Sequence, residues 1–151
     1  MYKRILVPVD GSPTALRGLD EAIRLARQSG GTLHLVHALD QLVFYGLDAY
    51  QADVYGALRE GGKRLMEQMQ ARVRDAGVEC TTYVSEVLPG RVSDVVVEQA
   101  KASGADLVVL GTHGRRGVGR MLMGSDAEQI LRVAPTPVLL VRASDDAKRD
   151  S

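Results

Sequence analysis

Leu107-Val-Val-Leu-Gly111-Thr-His-Gly114-Arg-Arg-Gly-Val-Gly-Arg-Met-Leu-Met-Gly124-Ser125 places an apolar strand-like run, a glycine-rich loop and a helix start one after another. Glycines let a backbone approach an anion closely and take up φ > 0. A following helix N-terminus adds unpaired N–H groups and the positive end of a dipole. Strand, loop and helix in that order make a phosphate cradle, and Ser125 adds a hydroxyl at its helical end. The spacing is glycine, two residues, glycine, nine residues, glycine, serine. It fits neither G-x-x-x-x-G-K-[ST] nor G-x-G-x-x-G.

Similar apolar runs stand at residues 5–9, 33–38 and 138–141, the last after Pro135 and Pro137. Continuous short runs of Val, Ile and Leu fit strands buried on both faces of a parallel sheet. Residues 13–29 carry Leu16, Leu19, Ile23 and Ala26 on one helical face, with Ser12 as N-cap, Pro13 at the first position, and Gly30 and Gly31 at the end. A second helix is expected at about 52–76, with Leu58, Leu65, Met66, Met69 and Val73 inward and Gly77 as its stop. The Gly61-Gly62 pair weakens its middle. Residues 79–87 alternate as an edge strand does, and Gly90 leads into a helix with Val92, Val95, Val96 and Ala100 inward, ended by Gly104. Residues 39–51, with Phe44, Tyr45 and Tyr50, have no clear period and read as a flap or an extension of the second helix.

Strands alternating with helices predict an α/β fold: a single Rossmann-like three-layer sandwich with five strands mostly parallel and helices on both faces. The order 3-2-1-4-5, with the first strand central, is an inference from fold rules that the sequence alone does not prove. The 151 residues fit one domain at 1–143 with a polar tail at 144–151. Apolar residues make up 45% and charged residues 25%, a soluble globular composition. Nineteen basic residues balance nineteen acidic ones, which argues against nucleic acid as a partner. Cys80 is the one cysteine, so there is no disulfide framework, and a cytoplasmic location is expected. No apolar run approaches the ~18 residues a membrane span needs.

In such sheets ligands sit beyond the carboxyl ends of the strands, where the strand order reverses. Asp10-Gly-Ser12 and the loop from Gly111 converge on that crevice. Asp10-Gly-Ser-Pro13 is also good turn chemistry. His113 has no identifiable nucleophile or carboxylate partner and reads as a loop-ordering residue. His34 and His37 fall on opposite faces of a strand and read as hydrogen-bonded structural histidines, not metal ligands. Arg115, Arg116 and Arg120 are positioned to neutralise phosphates or to face solvent. Cys80 reads as a small strand residue, and Met66 and Met69 as core filler.

Four segments together, Ile5-Leu-Val-Pro-Val-Asp10-Gly-Ser, Leu33-His-Leu-Val-His37-Ala38, Gly111 to Ser125, and Ala134-Pro-Thr-Pro-Val-Leu-Leu-Val141, resemble the universal stress protein family in its nucleotide-binding branch. The resemblance implies ATP binding with Mg2+ or Mn2+, a role in stress survival, and a homodimer through Val138-Leu-Leu-Val141. It makes Asp10 the acceptor of the adenine amino group, with Pro8 and Ala38 lining the adenine pocket. It sets Gly111 against the ribose, and Gly114, Gly124 and Ser125 around the triphosphate. Val9, Leu110, Thr112, Arg115 and Asp126 complete the implied nucleotide contacts. No catalytic residue is assigned, so hydrolysis is expected to be slow or absent. The chain departs from the commonest family pattern after the serine, where Asp126 and Ala127 replace a valine and a hydroxyl residue. A carboxylate there repels phosphate unless it turns away or shares a divalent ion. That departure sustains a second reading, a dimeric interaction module that binds no nucleotide. A third reading, a nucleotide-dependent enzyme, lacks an acid-base pair.

Overall fold

Residues 4–8 form a central strand because they are apolar on both sides: Ile5 and Val7 enter one core while Leu6 enters another. The computed structural model describes residues 1–38, 52–85, 91–112 and 125–142, the side chains of 52–55 and 125 excepted. In chain order these form β1 (Arg4–Pro8), α1 (Pro13–Ser29), β2 (Thr32–His37), α2 (Ala52–Asp75), β3 (Cys80–Val84), α3 (Val92–Ser103), β4 (Leu107–Thr112), α4 (Ser125–Val133) and β5 (Val138–Arg142). The sheet order is β3-β2-β1-β4-β5 and every pairing is parallel, as the β-α alternation requires. The expected flap at 39–51 and the tail at 144–151 lie outside the described residues.

One face of the sheet packs Ile5, Val7, Leu35 and Val109 against Leu19, Ile23 and Ala26 of α1 and Met66 and Val73 of α2. The other packs Leu6, Val36, Val108 and Leu110 against Val96, Ala100 and Ile130. Each fully buried Leu or Val contributes about 1.5–3 kcal/mol, so the double-sided strands carry most of the hydrophobic stabilisation. α1 begins where its sequence says it should: the Ser12 hydroxyl accepts from Ala15 N–H at 3.2 Å, and Pro13 follows. Gly30 closes it in the left-handed conformation at φ +72. A bidentate contact from Arg72 to Asp20 joins α1 to α2 on the outside.

Two expectations are corrected. Gly111 and Thr112 are not loop residues: they extend β4, pairing with Val141 and Arg142 of β5. The third strand starts one residue later than 79 and is described over Cys80–Val84; Ser85 N–H still donates the next ladder bond to the His37 carbonyl at 2.9 Å, and residues 86 and 87 lie outside the described residues.

The Gly61-Gly62 pair does not break α2, and its two members have different surroundings. A Cβ at Gly62 would stand 2.9 Å from His37 Cδ2, whereas one at Gly61 meets nothing within 4 Å. Gly61→Ala is therefore expected to stabilise the protein by about 1 kcal/mol through helix propensity. Gly62→Ala is expected to lower stability by about 1–2 kcal/mol through overpacking. Thermal or urea unfolding of the two variants checks this. A rise in both would mean that the His37 ring has room to retreat.

Candidate functional site

The strand order reverses between β1 and β4, and there the sheet parts. β1 pairs with β2 at five positions but with β4 at only two, Ile5 with Leu107 and Leu6 with Val108. Beyond Leu6 and Val108 the two strands diverge, and a cleft of about 190 Å³ opens at their carboxyl ends. Its floor is apolar, from Val36, Val92, Val96, Leu110 and Ile130. Its rim carries the Asp10 carboxylate and the hydroxyl residues Ser12 and Thr14 at the start of α1. Asp126 and Ala127, in the first turn of α4, close the opposite side.

Of the residues singled out in the sequence, Pro8, Val9, Asp10, Ala38, Leu110, Gly111 and Asp126 line this cleft. Thr112 is buried at the end of β4 and does not line it. Gly114, Arg115 and Gly124 lie outside the described residues, as do His113, Arg116 and Arg120. Ser125 is the first residue of α4, and its side chain is outside the description. Sequence reading did not assign Thr14, Ala15, Val92 and Val96 to the site. Val92 and Val96 were legible only as core residues, since their helical spacing says nothing of an opening beside them.

Asp10 serves the backbone first. Its Oδ1 accepts from Ser12 N–H at 2.8 Å, a turn that delivers the chain into the Ser12 cap. Oδ2 has no partner among the described residues, so an acceptor is left at an exposed position on the rim. Gly111 has a packing reason of its own. A Cβ there would lie 1.7 Å from the Thr14 carbonyl oxygen, and one at Gly18 would lie 2.8 Å from Gly111 N. Glycine at both positions lets α1 touch β4 backbone to backbone, and that contact fixes the distance between the two sides of the cleft. Asp10 and Asp126 are the charged side chains among the described lining residues. Carboxylates on opposite sides of one cleft favour a group that brings donors or a divalent cation.

The remaining reactive side chains are occupied elsewhere. His34 Nδ1 pairs with Thr81 Oγ1 at 2.6 Å and its Nε2 with Gln99 Oε1 at 2.8 Å. His37, on the opposite face, places Nδ1 2.8 Å from the Val9 carbonyl oxygen. Burial pushes the Cys80 thiol above its ordinary pKa, against smaller opposing effects of Arg74 and Gln70, which disfavours the thiolate needed for nucleophilic chemistry. Among the described residues no group of three His, Cys, Asp or Glu could hold a metal ion. Nor is any described helix long and apolar enough to cross a membrane.

The donor set suits an adenine nucleotide. An apolar slot has room for a flat ring, a carboxylate oxygen such as Asp10 Oδ2 is able to accept from an exocyclic amine, and the first turns of α1 and α4 both line the same opening. The described cleft is smaller than the roughly 300 Å³ at which whole-ligand pockets begin, and suits the base end of such a ligand.

A family model described as the universal stress protein family matches residues 1–142. Universal stress protein MJ0531 of Methanocaldococcus jannaschii is 33% identical over 144 residues, covering 94% of this chain and 83% of that protein. Among solved structures, the hypothetical protein MJ0577 aligns with a TM-score of 0.82 at 26% identity, over 96% of this chain and 99% of the other. A universal stress protein of Archaeoglobus fulgidus in complex with dAMP aligns with a TM-score of 0.65 at 25% identity, covering 92% and 97%. Another universal stress protein, in complex with cAMP, aligns with a TM-score of 0.66 at 25% identity, covering 95% and 99%.

Proposed function

The chain belongs to the universal stress protein family, and from that premise we propose that it is an ATP-binding regulatory protein of stress survival, with slow or no hydrolysis. The observation that carries this reading is the cleft at the β1–β4 divergence, apolar within and edged by Asp10 Oδ2, an acceptor with no partner among the described residues. Two family members solved with adenine nucleotides, dAMP and cAMP, support it. In this reading Asp10 takes the adenine amino group, and Pro8, Val9, Ala38 and Leu110 enclose the base. Gly111 stands on the ribose side, and Gly114, Arg115, Gly124 and Ser125 surround the phosphates. Asp126 shares a Mg2+ or Mn2+ ion with the phosphates, which offsets its repulsion of them. Nucleotide occupancy then orders the surface around the cleft, and partner proteins read that surface in the cytoplasm.

The test is mass analysis of nucleotide released by denaturing freshly purified protein, with calorimetric titration of ATP and magnesium beside it. ATP released, or bound on titration, is the expected result. No release and no heat would overturn the reading and leave the dimeric interaction module in its place. Asp126 and Ala127 in the cleft wall are the observation that favours that second reading.

Both readings include a homodimer through β5. Its outer edge is unpaired among the described residues, and Leu139 and Val133 beside it are exposed at 36% and 51%. An apolar edge strand invites pairing, and a twofold partner covers it. Light scattering at micromolar concentration should return twice the chain mass; the mass of one chain would remove the dimer.

A further inference from the structure

We propose that His37 is a positioning residue of the adenine site, holding the Val9 carbonyl so that the Ala38 N–H and the Asp10 carboxylate face the base as a donor–acceptor pair. The proposal rests on the reading of the cleft as an adenine-nucleotide site.

The argument starts from strand register. Pro8 pairs with Val36, and Val9 N–H still bonds the Val36 carbonyl at 2.8 Å, one step beyond the end of β1. In a parallel ladder the next bond would run from Ala38 N–H to the Val9 carbonyl. It is replaced: His37 Nδ1 lies 2.8 Å from that oxygen. A carbonyl only accepts, so Nδ1 carries the hydrogen. The ring satisfies the carbonyl, and the Ala38 N–H has no acceptor among the described residues although Ala38 lines the cleft. Asp10, the residue after the held carbonyl, offers Oδ2 from the same rim. One donor and one acceptor side by side match the edge of adenine, which presents a ring-nitrogen acceptor beside an amino donor.

The rest of the surroundings suit a held ring. The His37 carbonyl accepts from Ser85 N–H at 2.9 Å, tying β2 to the end of β3. On the α2 side the ring packs on Gly62, where a Cβ would come within 2.9 Å. The imidazole is thus wedged between α2 and the β1 terminus, with its donor aimed at a single oxygen.

The test compares His37→Phe, which keeps a ring and removes the donor, with His37→Asn, whose amide N–H stands at the same distance along the side chain as Nδ1. AMP and inosine monophosphate are titrated into each by calorimetry; hypoxanthine reverses the donor and acceptor of adenine. His37→Phe should weaken AMP about tenfold and erode its advantage over inosine monophosphate, and His37→Asn should restore both to within about threefold. Ring 15N shifts of the unliganded wild type should show the proton on Nδ1. Equal losses for both nucleotides in His37→Phe, no rescue by His37→Asn, or a proton on Nε2 alone would each overturn the proposal while leaving the nucleotide site standing. Failure of the wild type to bind AMP would overturn the functional reading and this inference with it. If His37→Phe fails to fold, the asparagine variant and the ring shifts decide.

Discussion

Gly111→Ala is expected to unfold the protein or leave it with only a small fraction folded. The added Cβ would stand 1.7 Å from the Thr14 carbonyl oxygen, 2.4 Å from its carbon and 3.1 Å from Ala15 N. No rotamer relieves this, because a Cβ has none, and the obstruction is backbone on both sides. Relief requires β4 to twist away or α1 to lift. β4 is held by five paired positions to β5 and forms both cores through Val108 and Val109. α1 is anchored by Leu19, Ala22 and Ile23 and by the cap at Ser12. Overpacking commonly costs 1–3 kcal/mol where side chains can yield, and a backbone clash at this distance should exceed about 4 kcal/mol, much of a domain's total stability. Gly18→Ala, with its Cβ 2.8 Å from Gly111 N, should show the same defect to a smaller degree. Far-ultraviolet circular dichroism and urea unfolding of the soluble fraction measure both. Wild-type stability in Gly111→Ala would mean that α1 slides freely on the sheet, and the fixed cleft width argued above would fall with it.

Sequence alone made Gly111 a loop glycine, and the reason that placement misled is general. A glycine required by close approach and one required by a turn look alike unless the partner element is known, and the partner here lies almost a hundred residues earlier in Thr14 and Gly18. Gly62 is a similar case: as a helix residue it is only a weak helix former, and its role appears once the His37 ring is beside it. What was legible was local or doubly determined. Ser12-Pro13 announced the start of α1 because a cap acts on its own first turn. The uninterrupted apolar runs of β1 and β4 announced a sheet covered on both faces. The strand order was an inference from fold rules, since crossover handedness fixes the face that a helix covers and not which strand becomes the neighbour. The site could be located from the same rules, since the strand order names the crevice. Its width could not, because the divergence of β1 from β4 after Leu6 and Val108 is a register property that no single segment encodes.

Asp10→Asn should abolish the base preference of the site without disturbing the turn that carries it. The turn uses Oδ1, which accepts from Ser12 N–H at 2.8 Å. An asparagine keeps an oxygen for that bond, so α1 should begin as before and the melting temperature should change little. The outward atom changes from acceptor to donor. Adenine's amino group would then meet an amide N–H, and both donors would lose their water without gaining a partner. A buried donor left unsatisfied costs about 1–3 kcal/mol, which is a loss of roughly ten- to a hundredfold in AMP or ATP affinity. Hypoxanthine offers an oxygen at the same place while its ring N–H still opposes the Ala38 N–H, so inosine nucleotides should not weaken and the advantage of the adenine ones should disappear. Asp10→Ala loses both functions and separates them less cleanly, since it also removes the acceptor for Ser12. Calorimetric titration of AMP and inosine monophosphate into Asp10→Asn, beside its melting curve, gives the decision. Unchanged affinity and unchanged preference would reduce Asp10 to a turn residue. A collapse in melting temperature would instead show that Oδ2 has a structural partner. Loss of the preference with the fold intact would place the base at the β1 end of the cleft, against Ala38 and the carbonyl held by His37.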